Sequence, residues 1–345
     1  MPVSACQTDL QQPISEHLLS LLEAAVSLEK WPIAKLISLF EANTEQGFIQ
    51  RHQLMAYIQQ QPKLASRRAY IVGVTGAPGV GKSSLIGELC LQLLKQQPGA
   101  AIAVLAIDPS SHNSGGALLG DRTRSLFPVG EKRLFFRSQS SALDLGGLSR
   151  KTFQVTRILQ YLFDYIVIET VGVGQSEVEV AKLCDHSFFV MQPLAGDQLQ
   201  FIKSGIMEMP DSFIINKCDE QQYAEQSLQQ LEASLRTTRS LLKEGEESVI
   251  PPVFLSSSVT KQGFKDLADY ITGLSVNEGN RNNTSNKENY FIAKWVRYLY
   301  GEYGYNIYIN NVANKVDGSM SYEQKQLLFK QSIDNKNSLI SVPNQ

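Results

Sequence analysis

The stretch AYIVGVTGAPGVGKSSLIGELCLQLL, residues 69–94, constrains this chain more than any other. An apolar, β-branched block runs into a glycine-punctuated turn and then into a stretch with helical periodicity. The turn, Gly76, Ala77, Pro78, Gly79, Val80, Gly81, Lys82, Ser83, fits the G-x-x-x-x-G-K-S template in the strand–turn–helix setting that the template requires. The glycines let the backbone wrap a phosphate chain, with amide hydrogens and the following helix N-terminus directed at the anion. Lys82 supplies a point charge to the β and γ phosphates, Ser83 a hydroxyl for Mg²⁺, and Ser84 lies within reach of the α phosphate.

The surrounding pattern sets the fold class. After residue 69, short runs rich in Val and Ile alternate with turns and helical stretches: Ala69–Val74, Ala101–Ile107, Tyr165–Ile168, Ser187–Met191, Phe213–Ile215 and Val253–Leu255. Such alternation predicts an α/β fold of the P-loop NTPase type, a doubly wound, mostly parallel sheet flanked by helices, with helical N- and C-terminal extensions. Residues 1–65 read as the N-terminal extension: Leu18, Leu19, Leu22, Ala25 and Val26 recur at helical spacing, as do Ile33, Leu36, Ile37 and Phe40. Residues 66–274 form the nucleotide domain, 275–290 an Asn-rich charged linker, and 291–345 a C-terminal helical arm. In that arm Phe291, Ile292, Trp295, Val296 and Leu299 share one helical face, which must be covered by its own domain or by another subunit.

A second motif selects the base. NKCD, Asn216–Asp219, follows the strand SFII directly. The Asp219 carboxylate accepts from N1 and the exocyclic N2 of guanine, two donors that adenine lacks, while Asn216 and the Lys217 stem support the loop and cover the ring. A site that pairs with substrate donors rejects an analogue lacking them. Ser256, Ser257 and Ser258 follow the strand VFL, where backbone amides can touch the guanine O6. GTP and GDP are therefore the expected ligands, with Mg²⁺ as cofactor. Hydrolysis needs acids near metal and γ phosphate, and three stand in suitable places: Asp108 and Glu169 end strands, and Asp121 lies on a loop.

Composition narrows the class. Lys and Arg total 32 and Asp and Glu 34, a formal net charge of -2, which argues against wholesale nucleic-acid or anionic-membrane binding. No apolar run reaches the length of a membrane span, and MPVSACQTDLQQ lacks the blocks of a secretory signal, so a cytoplasmic location is expected. The four cysteines are scattered without a CxxC pair, and the four histidines form no cluster, so neither a disulfide framework nor a zinc site is signalled.

Together GAPGVGKSS, AIDPSS, SGGALLGDRTR, IETVGVGQSE, GDQLQFIKSG and NKCD closely resemble the MeaB/ArgK family of P-loop GTPases, over about residues 69–260. The resemblance implies a homodimeric GTPase chaperone that gates cofactor loading and protection of an adenosylcobalamin-dependent acyl-CoA mutase, typically methylmalonyl-CoA mutase. The adenosylcobalamin belongs to the partner only. It further implies that Asp108, Asp121 and Glu169 surround the Mg²⁺ and the attacking water, and that Gly172 donates its amide to the γ phosphate. Gln175, Asp197 and Lys203 would belong to switch segments, and the C-terminal arm would serve dimerisation. Cys218, Ser257 and Ser258 depart from the family's usual residues, and EYGYNIYINN lacks a clear arm pattern.

Between Asp121 and Arg157 the chain carries Arg122, Arg124, Lys132, Arg133, Arg137, Arg150, Lys151 and Arg157, which read as a solvated basic face, with partner or phosphate contact as the sharper option. Competing functions are a metallochaperone GTPase for a nickel or other metal enzyme, a nucleotide-dependent factor for basic amino-acid transport, and a module that holds GTP without turnover. Dispersed His and Cys count against the first, and NKCD against the ATP use implied by the second.

Overall fold

The computed structural model describes residues 12–108, 130–140, 150–170, 176–196, 210–242, 250–276, 284–313 and 320–340. In chain order it begins with helices α1 (Glu16–Val26), α2 (Lys30–Glu41), α3 (Glu45–Gln60) and α4 (Pro62–Ala65). The sheet region follows as β1 (Tyr70–Thr75), α5 (Lys82–Gln96), β2 (Ile102–Asp108), β3 (Leu134–Ser140), α6 (Arg150–Leu162), β4 (Tyr165–Thr170) and α7 (Ser176–Leu183). It continues through β5 (His186–Met191), β6 (Ser212–Ile215), α8 (Gln221–Leu242), β7 (Val253–Leu255) and α9 (Phe264–Val276). Helices α10 (Thr284–Asn311) and α11 (Tyr322–Ile340) complete it. Two compact units result. One holds residues 68–152 and 159–280, the other residues 1–67, 153–158 and 281–345.

Among the described residues the first unit is built on a seven-stranded sheet of order β3-β2-β4-β1-β5-β6-β7, and every strand pairing there is parallel. Strands β1, β4 and β5 are buried along their whole length, as parallel strands covered on both faces must be. Val72, Val74, Val167 and Phe188 form one cluster with Leu85, Ile86 and Leu89 of α5 and Leu267 and Ile271 of α9. Aspartates at the amino ends of three strands each bind the amide opening a neighbour: Asp164 Oδ2 accepts from Ala101, Asp185 Oδ2 from Ile71 and Asp211 Oδ2 from Ser187, all at 2.8 Å. These bonds fix register at one end of the sheet, so the opposite, carboxyl ends align where loops can meet a ligand.

The sheet is the doubly wound parallel one expected, with every described pairing parallel. One expectation is corrected: the sheet contains β3, in a segment expected to form a solvated basic face. LFFRSQS alternates poorly because it is an edge strand: Leu134 and Phe135 are buried while Phe136, Arg137 and Ser138 are half-exposed. Of the basic residues, Arg133 pairs with Glu131 at 2.8 Å and donates to the Pro98 carbonyl, a surface clip between two turns.

In the helical unit Ser15 and Thr44 cap α1 and α3, accepting from Leu18 and Gly47. Leu18, Leu22, Ala25, Ile33, Leu36, Ile37 and Phe40 are all buried, as their spacing predicts. Arg51, on α3, donates to the Leu39 and Ala42 carbonyls at 3.0 and 2.7 Å and so closes the open end of α2. Arg157, expected on a solvated face, lies fully buried instead: its guanidinium donates to both carboxylate oxygens of Glu323, at 2.5 and 2.8 Å. Phe153 stacks on Phe291 with centroids 4.3 Å apart, and Lys325, 1% exposed, pairs with Glu288. Burial would push the Glu323 carboxyl up, but the charge and hydrogen bonds of Arg157 hold it below the usual range.

Helix α10 breaks at Gly301, whose φ of 61° and ψ of -164° suit only glycine. Phe291, Ile292 and Val296 are buried, whereas Leu299, assigned to the same face, is 50% exposed. The kink explains the difference, because a face drawn on one straight helix ends two residues before it. Residues 275 and 276, assigned to the linker, belong to α9, and those from 284 on belong to α10.

Candidate functional site

At the carboxyl end of β1 the chain turns through the glycine-rich loop into α5. Gly76 has φ of 144°, and a Cβ there would lie 2.1 Å from the Val190 carbonyl oxygen of β5, so the loop leaves the sheet only with glycine. Gly81 sits in the left-handed region, φ 90°, as the residue preceding α5, with Asn216 Nδ2 2.6 Å from where a Cβ would stand. The N-cap residue of α5 is Gly81, which has no side chain to cap it, leaving the first amides of a 15-residue helix at the loop. Lys82 is buried, and its Nζ donates to the Gly76 and Ala77 carbonyls at 2.6 and 3.0 Å, across the concave side of the loop.

Two other strand ends converge on this loop. Glu169, next to last in β4 and 6% exposed, accepts from the Ser83 hydroxyl at 2.6 Å. A hydroxyl and a carboxylate side by side are hard oxygen donors of the kind Mg²⁺ selects. From the end of β6, Asn216 Nδ2 donates to the Val80 carbonyl at 2.9 Å, and Lys217 Nζ donates to the Gly79 carbonyl at 2.6 Å. Lys217 adopts φ of 64°, which turns the chain so that its side chain runs back over the loop.

The end of β7 completes the arrangement. Ser256 Oγ donates to Asn216 Oδ1 at 3.2 Å, Ser257 Oγ donates to the Asp219 carboxylate, and the Ser257 hydroxyl also accepts from the Thr260 amide. Asp219 is thereby held at one oxygen while its exposed edge stays available. Cys218 donates its thiol to the Ile215 carbonyl, and burial raises its pKa, so it acts as a loop filler.

The structure thus assembles Gly76 to Ser84, Glu169, Asn216 to Asp219 and Ser256 to Ser258 along one sheet edge. Asp108 ends β2 at the same edge, with Ala106 of that strand paired to Glu169. Asp121, Gly172, Gln175, Asp197 and Lys203 lie outside the described residues. Among the described residues no group of three or more His, Cys, Asp or Glu could hold a metal. The sequence reading missed Gln192, after β5, whose side-chain oxygen accepts from Lys217 at 3.4 Å; its position directly beyond the β5 strand run was the available signal. No helix of the described residues is long and apolar enough to cross a membrane.

A phosphate loop with its lysine and a guanine-type NKxD loop on an all-parallel sheet define a P-loop GTPase. The solved structure of a LAO/AO transport system kinase shares this fold, with a TM-score of 0.61 at 22% identity over 96% of this chain and 100% of that one. The chain belongs to the family described as methylmalonyl Co-A mutase-associated GTPase MeaB, whose model matches residues 33–303. Among similar proteins, a "Probable GTPase" of Mycobacterium tuberculosis is 37% identical over 69% of each chain. A mitochondrial "Methylmalonic aciduria type A homolog" of Caenorhabditis elegans is 30% identical over 80% of this chain and 70% of that protein. This protein is a GTPase that binds GTP and GDP, as its fold and relatives establish.

Proposed function

We propose that this GTPase is a chaperone of an adenosylcobalamin-dependent acyl-CoA mutase of the methylmalonyl-CoA mutase type, coupling its nucleotide cycle to cofactor loading and protection of that partner. Membership of a mutase-associated family across residues 33–303 carries the reading, and the relative named for methylmalonic aciduria supports it. In this proposal Gly76 to Ser84 and Gly172 hold the phosphates, and Asn216, Lys217, Asp219 and Ser256 to Ser258 hold the base. Ser83 and Glu169, with Asp108 and Asp121, hold Mg²⁺ directly or through water. When bound, the metal supplies positive charge to the β and γ phosphates. Lys82 exchanges its two loop carbonyls for phosphate oxygens, so the cation is already positioned and desolvated before GTP arrives.

Gln175, Asp197 and Lys203 are assigned to segments that answer to the γ phosphate and to the mutase, and the C-terminal arm to a homodimer. A cytoplasmic location belongs to the same proposal. The test is to combine the purified protein with purified mutase, GTP and adenosylcobalamin. Expected are nucleotide-dependent complex formation and a faster GTP turnover than the protein shows alone. No complex and no stimulation with any nucleotide would sink the chaperone role and leave the GTPase intact.

A further inference from the structure

Two threonines end the strands that carry the phosphate site, and neither hydroxyl has a partner among the described residues. Thr75 closes β1 and Thr170 closes β4; they are 3% and 2% exposed, and both Oγ1 atoms are buried without a hydrogen bond. Val74 of β1 pairs in register with Glu169 of β4, which places Thr75 and Thr170 side by side one residue further on. Side chains alternate along a strand, so the face of each threonine follows from its neighbour. Val74 packs with Leu85 and Leu89 of α5, and Glu169 meets Ser83 of α5. Both threonines therefore face the other side of the sheet, toward α7, where a Cβ on Gly73 would lie 2.3 Å from Val180 and 2.8 Å from Cys184.

A buried hydroxyl is costly to leave unpaired, and each carries one donor and two acceptor positions. Two such groups at adjacent strand ends, with no bond between them, call for a small molecule able both to donate and to accept. Water meets that requirement, since buried waters bind polar groups that the protein leaves unsatisfied. We infer that Thr75 and Thr170 share one ordered water that ties the end of β1 to the end of β4, making both threonines positioning residues for GTP hydrolysis.

The consequence follows from what each strand end carries. The residue after Thr75 is Gly76, whose carbonyl accepts from Lys82; the residue before Thr170 is Glu169, which accepts from Ser83. A shared water fixes the axial offset between these two partners, and hence between the loop cation and the carboxylate on the opposite face. Sub-ångström errors in such an offset cost far more in turnover than in ground-state binding, because the phosphate loop grips GDP through many amides.

The tests are isosteric. Thr170→Val and Thr75→Val keep the shape and remove the hydroxyl, while Thr→Ser at either site keeps the hydroxyl. The inference expects kcat for GTP to fall about tenfold in each Val variant with GDP affinity within about twofold of the parent, and expects Ser to restore turnover. If the hydroxyls were merely unsatisfied, Val would raise the melting temperature and leave kcat unchanged, which would overturn the inference. A crystal structure of the unaltered protein gives a reading that no folding defect can obscure. Density for a water within about 3.2 Å of both Oγ1 atoms supports the inference; a direct protein partner for either hydroxyl, or no such water, refutes it.

Discussion

Asn216 donates through Nδ2 to the Val80 carbonyl at 2.9 Å while its Oδ1 accepts from Ser256, so one amide joins the phosphate loop, the β6 end and the β7 end. Both bonds are buried. Replacement by Ala strands a carbonyl and a hydroxyl, at a cost of about 1–3 kcal/mol each at most. Asn216→Ala should weaken GTP and GDP equally, by tenfold or more on the order of one lost pair of bonds, as measured by calorimetric titration.

The proposed site gives base choice to Asp219. Xanthine presents a carbonyl where guanine presents its N2 amine, so an amide side chain complements xanthine as the carboxylate complements guanine. Asp219→Asn should lower GTP affinity by at least about a hundredfold and create binding of xanthosine triphosphate, read by competition with a fluorescent nucleotide. Ser257→Ala, which frees the carboxylate from its hydroxyl donor, should weaken GTP by about tenfold without admitting xanthosine triphosphate.

The buried Arg157–Glu323 pair is strong only while both members are present. Removing one leaves a charge in a desolvated site, a loss of about 3–5 kcal/mol, whereas replacing both by apolar residues of similar size removes the penalty as well as the attraction. In urea unfolding, Glu323→Leu should be severely destabilised and Arg157→Met/Glu323→Leu largely recovered. Equal destabilisation of single and double variants would contradict this.

His186 bonds Ser212 at 2.8 Å beneath Phe188 and Tyr270, and burial keeps its imidazole below the ordinary pKa, partly offset by Asp211. The unfolded chain therefore takes up a proton more readily than the folded one. Stability should be full above about pH 6.5 and decline as the pH falls below it. Between pH 7.5 and 5.5, His186→Gln should show a shallower decline in unfolding free energy than the parent.

How much of this was legible depends on whether local chemistry or long-range packing decides the matter. Gly76 to Ser83 and Asn216 to Asp219 were readable because each motif needs its residue types for backbone reasons and follows an apolar strand run. Strand β3 was not, since it is paired along one side only and its half-exposed middle, Phe136 to Ser138, breaks the apolar run among basic neighbours. The fate of Arg157 was hidden for a different reason: its partner lies 166 residues away, and no periodicity in RKTFQVTRILQYL announces it. Leu299 misled because the kink is a single glycine whose conformation no spacing rule reveals.

The helical unit draws on three separated stretches of chain, and that has a consequence for synthesis. A ribosome releases residues 1–67 long before residues 281–345, whereas the sheet unit is complete once residue 280 has emerged. During that interval Arg51 and Phe48 lack the helix that later brings Glu323 and Lys330 to them, and Arg157 lacks its carboxylate. The nascent protein should therefore pass through a state with a finished nucleotide fold and an N-terminal helical surface still lacking the C-terminal helices of its own unit.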